Sequence, residues 1–403
     1  MRRPRAVTAA ALVLALALSG SASGAQVVSS DLGAALRTAL AEPGADARQV
    51  AALVVDLRSG KTVLELGASR PLRPASTEKL AVSYAALAIL GPRYRFRTSV
   101  VGTGERARDT WRGDLYLVGG GDPTLTLRDL DRLARRVAAL GIRRVTGRVL
   151  GDESLFDAER AAPGWKATYL GEESPPVSAL AVRGVDPPST NASAAVAARA
   201  FATALARHGV LAAGTWGAAR APEGAIPLAE DASPPLRLVV RLLNRDSDNL
   251  AAELVLKALG ASGGARGSFA RGAALVRATL ALAGVPLAGV RVVDGSGLSL
   301  RNRMTARALV AILRAALDDP SLREPFVSSL AVAGVSGTLE RRLDAPPTRG
   351  RVRAKTGTTS RASALAGYVG RRYAFSILEN GSPVSHVSAR AAQDRVVALL
   401  ARQ

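Results

Sequence analysis

Cysteine is absent from the 403 residues, histidine occurs only twice, and Phe, Trp and Tyr together make up 4% of the chain. The first absence excludes disulfides, thiolate metal sites and a cysteine nucleophile, so a chain of this size is held together by burial alone. His208 and His386 lie in Ala- and Ser-rich surroundings with no ligand spacing. No metal site is therefore expected, and a Ser-His-Asp triad has two unpromising candidates at best. No cofactor-binding motif is found either. Lysine is also rare: of 54 Lys and Arg residues only Lys61, Lys79, Lys166, Lys257 and Lys355 are Lys. Arginine stays protonated at any accessible pH, whereas a desolvated lysine can lose its proton, so a retained Lys in an Arg-rich chain hints at chemistry that Arg cannot do.

What the chain has in excess is positive charge, +21 at pH 7. Such a field attracts polyanions. Nucleic acid is disfavoured as the partner because aromatics are few, the arginines are scattered and no nucleic-acid motif is present. An anionic cell envelope, touched peripherally, is the expected polyanion, and a composition-wide taste for Arg explains much of the excess equally well. Residues 1–25 read as a signal peptide: Arg2, Arg3 and Arg5, an apolar run over 6–18, then small residues at 21–25. That run falls short of the roughly 20 apolar residues a spanning helix needs. The protein is thus expected to be exported, to a periplasmic or cell-envelope location.

Periodicity predicts a helix over 30–41, a hairpin with strands 50–56 and 62–66 around Arg58-Ser59-Gly60, and a helix over 75–90 that stops at Gly91-Pro92. From 94 to 235 the character changes, with strands expected at 96–101, 114–118 and 144–150, a helix at 127–140, and Gly- and Pro-rich loops. Helices follow at 250–259, 269–283 and 305–317. The chain ends strand, strand, strand, helix at 351–355, 364–369, 373–378 and 389–402. The fold class this implies is α+β: a five-stranded antiparallel sheet, made from the first hairpin and the last three strands, with helices on its faces. Residues 26–93 and 236–403 would form that domain, and 94–235 an inserted α/β region.

Three short motifs stand out. Ser76-Thr77-Glu78-Lys79 opens a helix, where the i, i+3 spacing stacks amine and hydroxyl on one face and the helix start offers free N–H groups to an oxyanion. Ser247-Asp248-Asn249 interrupts an apolar helical stretch and offers a hydroxyl for proton relay and an amide for orientation. Lys355-Thr356-Gly357, followed by Thr358, ends a strand; its glycine lets an extended substrate lie against the edge. Taken singly, each reads as well another way, as a Ser N-cap with a solvated Lys, as a capping triplet, or as a polar turn after an edge strand. Together, in the order SxxK, SxN, KTG, they are the motif set of penicillin-binding proteins and serine β-lactamases.

With PASTEKL at 74–80, GDLYLVGGGDPTL at 113–125, GRVLGDESLFD at 147–157, SDNLAAELVLKALG at 247–260, DGSGLSLRNR at 294–303, GVSGTLERR at 334–342 and AKTGTTS at 354–360, the chain resembles the D-alanyl-D-alanine carboxypeptidase/endopeptidases of class C low-molecular-mass penicillin-binding proteins, peptidase family S13. The long interval between Ser76 and Ser247 belongs to that resemblance. It implies a β-lactamase/transpeptidase-like fold and an acyl-enzyme on Ser76, acting on peptidoglycan stem peptides and blocked by β-lactam antibiotics. By the same resemblance Lys79, kept neutral by Lys355, takes the proton; the N–H groups of Ser76 and Thr358 hold the oxyanion; Ser247 passes a proton to the leaving amine; and Asn249 orients the substrate. Lys355, Thr356 and Gly357 receive the substrate's end, and Asp152, Phe156, Arg301 and Ser360 line a pocket for the stem peptide's diamino-acid side chain. The competing readings are a β-lactamase, for which no motif supplies the base of deacylation, and a non-catalytic cell-wall-binding protein.

Overall fold

The computed structural model describes residues 22–41 and 47–403. The leader expected over 1–25 lies, up to residue 21, outside the described residues. Among these no helix is long and apolar enough to cross a membrane.

Among the described residues the first element is helix α1 (Ala22–Leu40), which starts eight residues before the expected bound; strands β1 (Val50–Asp56) and β2 (Thr62–Leu66) follow with the bounds read from the sequence. A 3-10 turn, Ala75–Glu78, leads into α2 (Lys79–Leu90), which ends at Gly91 with φ +83°. The segment expected to be one helix from 75 is therefore split at Lys79. Next come β3 (Arg97–Gly102), β4 (Glu105–Ala107), β5 (Thr110–Arg112), β6 (Leu115–Val118), α3 (Leu127–Ala139), β7 (Arg144–Val145) and β8 (Val149–Asp152). The short turn α4 (Tyr169–Glu172), α5 (Ser193–Arg207), β9 (Leu211–Ala212), β10 (Trp216–Ala218) and β11 (Ile226–Ala232) complete the middle. Five helices follow, α6 (Leu236–Asn244), α7 (Asn249–Ala261), α8 (Phe269–Leu282), α9 (Ala306–Asp318) and α10 (Pro320–Val327). The chain closes with β12 (Ala331–Val332), β13 (Val352–Thr359), β14 (Ala362–Val369), β15 (Tyr373–Asn380) and α11 (His386–Ala401).

One sheet runs β12-β13-β14-β15-β1-β2, antiparallel throughout. It contains the five expected strands and one more, the two-residue β12 on the edge of β13. Strand β1 shows why both ends of the chain are needed. Its side chains alternate between two cores, Ala51, Leu53 and Val55 facing one and Ala52 and Val54 the other, so a helical layer must cover each face. Leu36 of α1 with Val396 and Leu400 of α11 covers the second face, while α2 and α6 to α10 build the first.

The middle of the chain forms two further sheets, β10-β8-β6-β3-β11 and β4-β5-β7-β9, with their own core between α3 and α5. Its entry and exit lie side by side: Leu236 N–H donates to Tyr94 O at 2.8 Å and Arg237 N–H to Pro92 O at 3.0 Å. The strand expected over 144–150 is two strands in different sheets. Gly147 turns between them, and a Cβ there would lie 2.4 Å from Gly113 O and from Asp114 Oδ1. Not all of the middle stays apart, since Phe156, Ala162, Val177 and Ala179 pack into the first core.

Candidate active site

Ser76 lies in the 3-10 turn before α2, behind Ala75, whose φ of +47° is a left-handed conformation that a side chain disfavours. Two glycines clamp this turn. A Cβ on Gly297 would stand 1.9 Å from Ala75 O, and one on Gly357 would stand 2.8 Å from Pro74 O and 3.1 Å from Ser76 N. The strain is held because the backbone on both sides comes too close for any other residue, and the result is a half-buried hydroxyl facing β13.

Lys79, the first residue of α2, is fully buried and its amine donates to three acceptors: Ser76 Oγ at 2.9 Å, Asn249 Oδ1 at 2.8 Å and Ser296 O at 2.8 Å. Burial pulls its pKa down to about 8, against the opposing pull of Glu253, Asp294, Asp248 and Glu173. Lys355 of β13 is also fully buried, and its amine donates to Ser247 Oγ at 2.9 Å and Thr356 O at 2.7 Å. Burial first, and the Lys79 charge second, push it well below the ordinary lysine value. Burial is the leading cause at both amines, and the two ammonium charges oppose each other.

The SDN triplet sits between α6 and α7. Ser247 has φ +62°, and Asp248 caps α7 by accepting from Ala251 N–H at 2.8 Å. Asn249 shows both ends of its amide at work, Oδ1 toward Lys79 and Nδ2 donating to Glu173 O at 2.9 Å. Glu173 follows α4, so the middle of the chain reaches the site directly. The carbonyl of Ser296 is fixed in turn by Glu253, whose carboxylate accepts from the N–H groups of Gly295 and Ser296 at 2.7 and 2.8 Å. Asp294 ties the same loop to Gly297, Ser299, Asn302 and Trp165. Burial and the neighbouring Asp294 raise the Glu253 carboxyl to about 8 and Glu78 well above the carboxylate range.

These groups open into a cleft of about 580 Å³ whose walls include Ser76, Ser247, Asn249, Thr338, Thr356 and Thr358. Thr356 Oγ1 and Thr338 Oγ1 are 2.8 Å apart. Strand β13 continues through Thr359, so the KTG triplet lies inside the strand rather than at its end.

The four residues expected in a side-chain pocket separate into two pairs. Asp152, 4% exposed, accepts from Ser154 N–H and Ala221 N–H at 2.7 and 2.8 Å and so holds loops of the second sheet. Phe156, 3% exposed, is core, with Lys257 over its ring and Gly121 and Gly267 against it. None of the four is among the residues lining the cleft; for Asp152 and Phe156 turn chemistry and packing account for the residue. Ser360 and Arg301 are exposed and meet one segment of the insert: Ser360 Oγ accepts from Lys166 at 3.2 Å, and Arg301 lies against Gly164. Glu173, Thr338 and the Ser296 carbonyl were not found from sequence. No local signal marks them, although the DGSG and SGTL strings containing two of them carried the resemblance. Among the described residues no group of three or more His, Asp or Glu converges to hold a metal.

A model of the D-Ala-D-Ala carboxypeptidase 3 (S13) family matches residues 32–192 and 188–403. A D-alanyl-D-alanine carboxypeptidase of Actinomadura sp. (strain R39) is 31% identical, with 90% of this chain and 83% of that one covered. Carboxypeptidase DacB of Mycolicibacterium smegmatis is 34% identical, with 87% and 80% covered. In fold, the chain matches the crystal structure of penicillin binding protein 4 from Haemophilus influenzae with a TM-score of 0.80 at 22% identity, over 92% of this chain and 98% of that one.

Proposed function

Since the chain belongs to the D-Ala-D-Ala carboxypeptidase 3 (S13) family, we propose that it performs the serine DD-carboxypeptidase/endopeptidase reaction of that family through an acyl-enzyme on Ser76. The observation that carries this assignment of residues is the meeting of two buried amines on two hydroxyls in one cleft, Lys79 on Ser76 and Lys355 on Ser247, each at 2.9 Å.

In its neutral form Lys79 accepts the Ser76 proton while Oγ bonds to the carbonyl carbon between two D-alanines. The carbonyl electrons move onto oxygen, which the N–H groups of Ser76 and Thr358 receive. When they return, the C–N bond breaks, and the amine leaves with the proton that Lys79 took, passed on through Ser247, whose hydroxyl Lys355 already holds. Lys79, neutral again, takes a proton from water as the water oxygen adds to the acyl carbon, and gives that proton back to Ser76 Oγ as the ester bond breaks. Asn249 keeps Lys79 and substrate in register because Glu173 O fixes which end of its amide faces the lysine. Lys355 and Thr356 take the terminal carboxylate, Gly357 lets the substrate approach β13, and Arg301 and Ser360 border the stem-peptide side chain.

Residues 26–93 and 236–403 make the catalytic domain in this reading and 94–235 the insert. The substrate is peptidoglycan in an exported, envelope-associated enzyme, with its +21 charge favouring the anionic envelope surface. β-Lactams acylate the same serine; the Haemophilus influenzae relative has been crystallised with one. Incubation with a fluorescent penicillin tests the assignment. The wild type forms a lasting adduct and releases D-alanine from a D-Ala-D-Ala peptide, whereas Ser76→Ala does neither while melting normally. Label retained by Ser76→Ala would place the nucleophile elsewhere, and rapid turnover of penicillin would favour the β-lactamase reading.

A further inference from the structure

The cleft has an unbalanced end. Besides the Thr356–Thr338 hydroxyl pair its wall includes Arg341, Arg342 and Arg390, against two acids, Glu340 and Glu173. Arg342 is neutralised by Asp394 at 2.8 Å and also donates to Gln393 Oε1 at 2.9 Å. Arg341 and Arg390 differ. Both are exposed, and among the described residues neither has a carboxylate in ion-pair contact; the Arg390 guanidinium touches only Thr358 Oγ1, at 3.4 Å. Many other arginines in this chain do find acids, Arg132, Arg148, Arg160, Arg183, Arg307 and Arg372 among them. Two guanidinium groups without an ion-pair contact therefore line the same cavity as Ser76, Arg390 sharing at longer range the Asp394 charge that Arg342 holds.

Resting on the hydrolase reading above, we propose that this end of the cleft is an anion subsite that selects a leaving residue carrying a second carboxylate in addition to its α-carboxylate. The preferred substrate class is then an acidic cross-link, whose departing amine belongs to a multiply charged peptide, rather than a terminal D-alanine with its single charge. The α-carboxylate stays on Lys355 and Thr356, and the second reaches the forks of Arg341 and Arg390, which present paired donors suited to a carboxylate. Glu340 weakens the site without cancelling it, since Asp394 is already held by Arg342 and the backbone carbonyl of Glu173 ties that residue to Asn249 at the other wall.

Three blocked peptides test this, ending in D-Ala-D-Ala, D-Ala-D-Glu and D-Ala-D-Gln, the last two differing in charge and hardly in shape. With the full chain, kcat/KM for D-Glu release exceeds that for D-Gln by about threefold to tenfold. That ratio falls toward one at high salt and in the Arg341→Gln/Arg390→Gln double variant, with penicillin acylation reporting that the variant is folded. A wild-type ratio of one or less, with D-alanine still released, overturns the subsite and leaves the hydrolase reading standing. A ratio that survives in the double variant overturns the assignment to these arginines. Failure to cleave any of the three, together with no acylation by penicillin, overturns the hydrolase reading itself.

Discussion

At Lys79 two effects oppose each other, and their balance sets when the enzyme is armed. Burial without water strips stabilisation from the ammonium, while four acids around it restore part, and the outcome is a pKa of about 8. A base must be neutral, so the sign follows: at pH 7 about one Lys79 in ten is ready, and above pH 8 most are. Acylation of Ser76 by a penicillin should therefore speed up roughly tenfold from pH 7 to pH 9, flattening above 8; a flat profile across that range would mean that Lys79 is not the base. Lys79→Arg, which cannot shed its proton, should be at least a thousandfold slower at every pH. The scarcity of lysine made Lys79 and Lys355 legible in the sequence. The cause of their shifts was not, because depth of burial depends on what other parts of the chain lay over them, and the partners Asn249, Ser296 and Glu173 lie 170, 217 and some 90 positions away.

Among the elements, those with strong contrast between apolar and polar positions were readable: β1 and β2 to the residue, α3 and α9 to within one or two. Helix α5 was missed because its run of alanines offers no such contrast, although alanine favours helix. Strand β11 was missed because Pro227 and Asp231 interrupt its pattern, and its ladder to β3 indeed shifts register between Pro227 and Ala229. The 3-10 turn at Ser76 was hidden too, since a left-handed Ala75 has no signature; it exists because Gly297 and Gly357 let two other backbones close on it. Gly297→Ala should expose that dependence. At φ +88° with a Cβ 1.9 Å from Ala75 O, the turn must move, and penicillin acylation is expected to fall at least tenfold with a loss of a few kcal/mol in stability. Rates and urea midpoints unchanged from wild type would show that the clamp is not needed.

On the scale of the whole molecule, the middle of the chain is fastened to the helices over the main sheet by a buried ammonium. Lys257 of α7, fully buried, donates to Asp157 Oδ1 at 2.6 Å and stands 4.3 Å above the Phe269 ring. Removing the amine leaves an empty space and an Asp157 that is only partly shielded from water, so Lys257→Ala is expected to cost about 2 kcal/mol or more, and Lys257→Met, which refills the space, less. Equal urea midpoints for wild type and Lys257→Ala would remove the anchor from this account. The main sheet is closed by the chain's two ends: β1, made early, has for its neighbour β15, made late, and β13 with Lys355 joins β1 only through β14 and β15. A growing polypeptide thus carries Ser76 and Lys79 long before it carries β13, the strand that packs against them. On the proposed mechanism Lys355 and the Thr358 N–H arrive only with the last fifty residues, so a chain whose β13 has not yet docked is inert however complete the rest of it is.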